Sequence, residues 1–372
     1  MKLGDICDIN MGQSPSSETY NTNNSGIPFF QGNADFGERS PIVRIYCSKP
    51  TKIAKKGDIL FSVRAPIGAI NIADCECCIG RGLSALTPKK STTEYLFFLL
   101  KAKNKILQSL GTGSTFKAIN KNTLLSLPIS SHSINEQRII SNKLSLIENA
   151  IRIRERQLVK LNQLAKSRFI EMFGDFPLNE KKWETGQIRN VVYDVRYGTS
   201  LPASLDGKYP YFRMNNITYS GELDLSEIKR INIPDREFSK YAIQKGDVLF
   251  NRTNSKELVG KTCVYDKDDK MILAGFIIRI RVNDRMLPEF LSAFLNADFS
   301  KKMLLEKCKT AIGQANINAQ ELQNFDIYIP PIELQKQFVF IKNQLDKSKF
   351  RIKKSLEKLE MTYKALLQEY FG

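Results

Sequence analysis

Apolar residues at positions 140, 144, 147, 151, 158 and 161 step by four and three along the chain, and the stepping runs on through Arg154, Ala165, Arg168 and Met172. This spacing predicts one long helix with a heptad seam that two arginines interrupt. A second seam, Leu345, Ile352, Leu356, Leu359, Tyr363, Leu366 and Tyr370, keeps the same phase. Pro128 and the pair Pro330-Pro331 lie just upstream, where they can end the preceding segment. Asn135 is a candidate N-cap for the first helix, although Arg138 stands where a capping box would place an acid. A helix of about 37 residues spans roughly 55 Å. So narrow a stripe predicts a helical partner, because a helix lying on a globule shows a broader apolar face. The two helices are therefore expected to pair antiparallel, the alternative being that each packs on its own globule.

The remaining sequence has a different texture. Short β-branched runs at 58–63 and 276–282 read as strands, and the runs 94–100 and 288–295 read as short helices. Gly, Asn and Ser punctuate the rest, as at 21–26. These features predict mixed α/β globules with long surface loops.

The chain is also written twice. Lys56-Gly57-Asp58-Ile59-Leu60-Phe61 returns as Lys245-Gly246-Asp247-Val248-Leu249-Phe250, and Pro28-Phe29-Phe30 with Asn33 returns as Pro210-Tyr211-Phe212 with Asn215. Ile119-Asn120 returns as Ile317-Asn318, and from there Leu124, Gln137, Phe173 and Gly174 match Leu322, Gln335, Phe371 and Gly372 without a gap. Two copies are too few for a solenoid. They predict a pseudo-twofold α/β (α+β) protein: a globule over 1–133, a long helix over 134–175, a second globule over 176–331 and a second helix over 332–372. The first part of each copy diverges and the last part keeps register, as a changing surface on a constant scaffold would.

Charge narrows the partner class. Lys and Arg number 56 against 39 Asp and Glu, a formal net charge of +17. Residues 1–174 hold 24 cations against 13 anions and residues 175–372 hold 32 against 26, so both halves are basic. Nucleic acid is the leading anionic partner and a membrane surface the second. No apolar run approaches the roughly 18–20 residues of a bilayer span, and the start Met1-Lys2-Leu3-Gly4-Asp5 carries no apolar signal segment, so a cytoplasmic protein is expected.

Candidate chemistry is sparse. Cys75, Cys77 and Cys78 cluster, but there is no second cysteine pair at zinc spacing and His132 is the single histidine, so zinc would need Cys47 or a carboxylate. Reduced, mostly buried thiols are expected, with no metal and no cofactor. One histidine weakens any Ser-His or Cys-His scheme. No Asp/Asn-Pro-Pro-Tyr/Phe methyltransferase motif and no phosphate loop occurs, and Gly111-Thr112-Gly113-Ser114 reads as a flexible loop. Catalysis by this chain alone is not expected.

Polar and basic loops are plentiful. The first globule offers Gln13, Ser14, Gln31, Asn33, Arg64, Arg81, Thr115 and Lys117. The second offers Arg196, Tyr197, Thr199, Arg213, Asn215, Asn216, Arg252, Asn254, Lys256, Gln314 and Asn316. Arg suits guanine edges, Asn and Gln suit adenine, and Lys, Ser and Thr suit phosphates. The same residues also serve as ordinary connectors. Arg64 and Arg252 are read as equivalent, each just past the repeated strand.

Across its whole length the chain resembles the DNA-specificity subunit of type I restriction–modification enzymes. The resembling segments are 26–32, 56–68 and 78–83 in the first copy, and 194–199, 245–252 and 329–335 in the second. The resemblance implies two target-recognition domains on double-stranded DNA, each reading half of a split target. It implies that the helices space the heads and dock two methyltransferase subunits, and that restriction subunits join them. Departures are Ser130-Ser131-His132 in place of Pro-Pro before the first long helix, and the absence of Ala-Pro-Ile-Gly and Ile-Gly-Arg-Gly segments from the second copy, so the two heads are expected to read different half-sites. A non-catalytic coiled-coil adaptor joining two proteins is the rival reading. A nuclease or methyltransferase with an unrecognised site is a third.

Overall fold

The computed structural model describes residues 1–112, 117–255, 257–307, 309–311 and 314–372. They form two compact units, Met1–Glu155 with Lys353–Gly372, and Arg156–Ile352. Each unit therefore holds one globular head and portions of both long helices.

In head one, strands β1 (Cys7–Met11), β2 (Ile27–Phe30), β3 (Ile59–Ser62), β4 (Ile70–Ile72), β5 (Cys77–Ile79) and β6 (Leu83–Pro88) precede helix α1 (Thr93–Ala102). One antiparallel sheet has the order β1-β6-β3-β4. A second, five-stranded sheet is built around a parallel β2–β5 pair, with Phe29 opposite Cys78. Helix α1 starts at Thr92, whose hydroxyl accepts the Tyr95 N–H at 3.2 Å, and it buries Tyr95 through Leu100. Cysteines 77 and 78 alternate across β5. Cys77 packs with Phe30 and Ile79, whereas Cys78 packs with Phe29 and Cys47. Burial raises both thiol pKa values, and it pushes Cys7 up to about 12. Among the described residues no group of three His, Cys, Asp or Glu could hold a metal ion. His132 is a packing residue, its Nδ1 lying 2.7 Å from the Tyr95 hydroxyl.

Helix α2 runs from Ile134 to Phe173. Its N-cap is Ser133, not Asn135. The Ser133 N–H donates to Glu136 at 2.7 Å and the Ser133 hydroxyl accepts the Glu136 N–H at 3.3 Å, a complete capping box two residues ahead of the Asn135–Arg138 pair. These hydrogen bonds hold the Glu136 carboxyl below its ordinary pKa.

Head two repeats the frame with β7 (Val192–Tyr197), β8 (Tyr209–Phe212), β9 (Val248–Asn251), β10 (Thr262–Val264), β11 (Met271–Leu273), β12 (Ile277–Val282) and helix α3 (Pro288–Asn296). Its first sheet has the order β7-β12-β9-β10, and β8 runs parallel to β11 with Tyr211 opposite Ile272. Helix α4 spans Ile332–Phe371. No helix among the described residues is long and apolar enough to cross a membrane.

The repeated residues tie helices to heads. Gln137, at the start of α2, accepts the Thr92 N–H at 3.0 Å and donates to Lys90 O and His132 O. Gln335, at the start of α4, accepts the Leu287 N–H at 2.9 Å and donates to Arg285 O and Pro330 O. Each buried glutamine thus joins a long helix to the entry of its head's short helix. Asn120 and Asn318 cap the following short helices, accepting from Thr123 N–H and Glu321 N–H.

Within the first unit the start of α2 packs on the end of α4. Lys143 Nζ donates to the Tyr370 hydroxyl at 3.4 Å, and the Tyr363 hydroxyl donates to Glu148 at 3.4 Å, so the pair is antiparallel. Within the second unit the end of α2 packs on the start of α4, with the Phe169 and Phe173 rings 5.3 and 5.7 Å from Phe338. The expected seam does not hold to the end. Arg168 is exposed and pairs with Glu171, while Phe169 and Phe173 are buried in its place. A straight helix drifts about 20° per heptad. Over four heptads from Ile140 that is close to one residue, so the contact face passes to the next position. Phe371 takes over from Tyr370 in the same way and is fully buried.

Candidate nucleic-acid interface

In each head, backbone hydrogen bonds gather four loop segments beside the parallel strand pair. In head one the Gln13 N–H donates to Ile79 O at 3.0 Å, Gly80 N–H to Phe30 O at 2.8 Å and Val63 N–H to Gly82 O at 3.0 Å. In head two the Thr199 N–H donates to Leu273 O at 2.8 Å, Ala274 N–H to Phe212 O at 2.9 Å and Arg252 N–H to Phe276 O at 3.0 Å. The frame is the same bond for bond. Its closeness explains Gly12 and Gly198, where an added Cβ would lie 2.2 Å from Gly80 O and Leu273 O.

This correspondence corrects the alignment of two candidates. Arg252 occupies the place of Val63, not of Arg64. The Ile119 N–H donates to Val63 O and the Ile317 N–H to Arg252 O, both at 2.9 Å, which fixes the match. Val63 is buried in the core of head one, whereas the Arg252 guanidinium lies 4.9 Å over the Tyr197 ring. Arg64 is one residue further on, exposed, and bridges Ala118. A one-residue step along a strand reverses the facing of the side chain.

The side chains on the common frame differ. In head one, Gln31, Ser14 and Arg81 meet at one place. The Gln31 amide donates to Ser14 Oγ at 3.0 Å and that oxygen accepts the Arg81 N–H at 3.2 Å, leaving the Arg81 side chain exposed. Gln13 is exposed nearby, and Asn33 lies in the turn that follows Gln31. Lys117 is exposed beside Ala118, the partner of Arg64. In head two, Arg213 takes the place of Gln31 and Gly275 the place of Arg81. Asn215 is exposed in the turn after Arg213. Tyr197 is half-exposed, and its hydroxyl accepts the Ala319 N–H at 2.7 Å.

Burial removes two candidates from the surface. Thr199 is 4% exposed and its hydroxyl accepts the Leu201 N–H; Asn216 is 2% exposed and its amide donates to Asp224 O and Glu227 O. Both hold loops in shape, because short polar side chains satisfy turn backbone. Asn254 and Asn316 are partly turned inward, Asn254 accepting the Ser255 N–H and Asn316 accepting from the Thr253 hydroxyl. Gln314 lies in the strand Gln314–Asn316. Thr115 and Lys256 lie outside the described residues, as do Gly113 and Ser114.

Ion pairs set the charge that head two presents. Arg279 is buried and donates to Ala242 O at 2.6 Å and to Asp194 at 2.7 Å. Asp194 also accepts from Arg196 Nε at 2.6 Å. Burial pushes the Asp194 carboxyl up, but the hydrogen bonds and charges of Arg279 and Arg196 outweigh it and hold the pKa below the usual value. Arg196 is thereby aimed and partly compensated, whereas among the described residues no carboxylate pairs with Arg252 or Arg81. Phe276 is exposed beside these segments, although an apolar residue at the mouth of a strand reads as core in the sequence.

Comparison with known proteins bears on this frame. The family model for the type I restriction modification DNA specificity domain matches residues 1–163 and again residues 180–361. A Methanocaldococcus jannaschii chain described as the type I restriction enzyme MjaX specificity subunit is 39% identical over 160 residues, which cover 42% of this chain and 38% of that one. The Escherichia coli K12 type I restriction enzyme EcoKI specificity subunit is 23% identical over 286 residues, covering 71% of this chain and 61% of that one. The chain thus spans less than two thirds of the length of either curated relative. The crystal structure of a type I restriction–modification S subunit from M. genitalium shares the fold, with a TM-score of 0.64 at 16% identity, over 100% of this chain and 95% of that one. With two family matches falling on two heads that share one backbone frame, the chain belongs to the type I restriction–modification DNA specificity family.

Proposed function

We propose that this chain is the DNA-reading subunit of a type I restriction–modification complex, in which each head reads one half of a bipartite double-stranded target. The observation that carries this reading is the repeated loop frame with exchanged side chains. Arg81, Gln31 and Gln13 on one copy, and Arg213, Arg252 and Asn215 on the other, supply donors and acceptors for base edges and phosphates. The formal net charge of +17 favours the same partner.

The long helices set the distance between half-sites and dock two methyltransferase subunits, which supply the catalysis, with restriction subunits joining them. Support comes from apolar residues left outside the helix pair. Ile139, Leu146 and Ile153 repeat every seven residues and are 56%, 70% and 53% exposed, and Phe340 and Phe350 are exposed on α4. A heptad of exposed apolar residues fits a helical partner. In the adaptor reading the loop side chains have no task.

Insertion of one heptad after Glu155, matched by one after Ile352, tests the ruler. It keeps the helical phase and lengthens each helix by about 10 Å, close to three base pairs at roughly 3.4 Å each. The methylated target should gain about three spacer base pairs with both half-sites unchanged. Methylation at the original spacing by a folded, partner-bound variant would show that the partners, not the helices, place the heads.

A further inference from the structure

The turn that leads into the central strand of each first sheet carries opposite chemistry in the two heads. In head one it reads Gly80, Arg81, Gly82; in head two it reads Ala274, Gly275, Phe276. The hydrogen bonds to Phe30 O and Phe212 O, and those from Val63 N–H and Arg252 N–H, make the positions correspond one to one. Gly82 is buried, and a Cβ there would lie 2.5 Å from Gln31 O, so head one has no room for a side chain at that place. Head two puts a phenyl ring there and leaves it 54% exposed. The middle position changes in the opposite sense, from an exposed arginine to a glycine.

The backbone around Phe276 is joined to two segments that carry arginines. Its carbonyl accepts the Arg252 N–H, its turn is hydrogen-bonded to Phe212, the residue before Arg213, and Gly275 N–H donates to Thr199 O at 2.8 Å. An exposed ring on a turn joined to two arginine-bearing segments does not suit a cationic partner. It suits a polyanion that offers one apolar group at a defined place. In the major groove of DNA that group is the 5-methyl of thymine, and the other base-edge groups are hydrogen-bond donors or acceptors.

We propose that Phe276 is a specificity-determining residue of head two that covers the 5-methyl group of one thymine in its half-site. The inference rests on the DNA-reading function proposed above. It assigns head two an apolar contact where head one makes a charged one through Arg81.

The test uses the chain in complex with its methyltransferase subunits. The target is first selected from a random duplex library, and deoxyuridine then replaces each thymine in turn, removing only the methyl group. At one position of the head-two half-site the substitution should weaken binding about fourfold, the ratio that burial of one methyl group gives. Phe276→Ala should bind the thymine duplex more weakly and lose the distinction between thymine and uracil there, while responses in the head-one half-site stay as in the parent complex. That half-site also serves as the internal check on folding. Equal binding of thymine and uracil duplexes at every head-two position, a head-two half-site without thymine, or a Phe276→Ala complex that still discriminates would each overturn the proposal. A rise in 2-aminopurine fluorescence with no uracil effect would also overturn it, in favour of a ring wedged between base steps. Absence of any sequence-selective binding would overturn the DNA-reading function itself, and the thymine contact with it.

Discussion

Head one carries Gln31, Val63, Arg81 and Gly82 where head two carries Arg213, Arg252, Gly275 and Phe276, on loops joined by the same backbone hydrogen bonds. Beneath these loops the two heads are nearly interchangeable. Gln137 and Gln335 make three equivalent bonds each, Asn120 and Asn318 cap equivalent helices, and Phe371 and Phe173 pack under Tyr95 and Phe290. The division follows from what each group must satisfy. A buried amide or ring is tied to several partners at once, so a change leaves cavities or unpaired groups. A side chain that leaves the frame toward solvent has no such obligation, and it can be exchanged to suit a different half-site.

The largest expected break in this symmetry is at the helix ends. Phe173 lies among Phe169, Phe290 and Phe338, whereas Phe371 meets Tyr95 and His132. Truncation of a buried Phe to Ala costs about 3–5 kcal/mol. Phe173→Ala should fall at the upper end and Phe371→Ala at the lower, as measured by urea unfolding. A larger loss at Phe371 would show that the two units are not packed by the same rule.

The glutamines should behave as equals. Gln137→Leu and Gln335→Leu each strip partners from three backbone groups, and each should cost roughly 2–3 kcal/mol, at about 1–3 kcal/mol per unsatisfied group with some recovered by solvent. Hydrogen exchange resolved by unit reads the two separately. A neutral change at one and a severe change at the other would break the equivalence of the two clamps.

On DNA the heads should part company. Arg81→Ala and Arg252→Ala should each weaken binding by about 1–3 kcal/mol if they read bases, and relax one position in their own half-site. Arg252 is already ordered over Tyr197 and should show the larger effect. Uniform weakening across all sequences, with a shallower salt dependence, would assign the residue to phosphate instead.

The smallest expected difference is in pH dependence. Burial pushes Lys301 down to about 7, and the charges of Lys261 and Lys166 push the same way, while the ammonium donates to Gly260 O. The folded pKa lies below that of the unfolded chain, so the unfolded state binds more protons between about pH 7 and the ordinary lysine value. Stability of the second unit should therefore rise with pH across that window and fall as pH drops toward 7. Lys301→Met should flatten the response. An identical slope in both units, read by hydrogen exchange at pH 7 and 9, would remove Lys301 as its source.

Much of this protein was legible in the residue order. The repeat, the two long helices, the strands at 59–62 and 277–282 and the basic loops are local patterns, and apolar periodicity reports them because a helix or strand buries whichever face its own spacing builds. Two features waited for the tertiary structure. The helix contact face moves from Arg168 to Phe169 because a straight helix accumulates a turn that a heptad count ignores. Thr199 and Asn216 turn inward while Arg81 and Phe276 face solvent, because backbone bonds between segments distant in sequence decide which loop side chains are left outside.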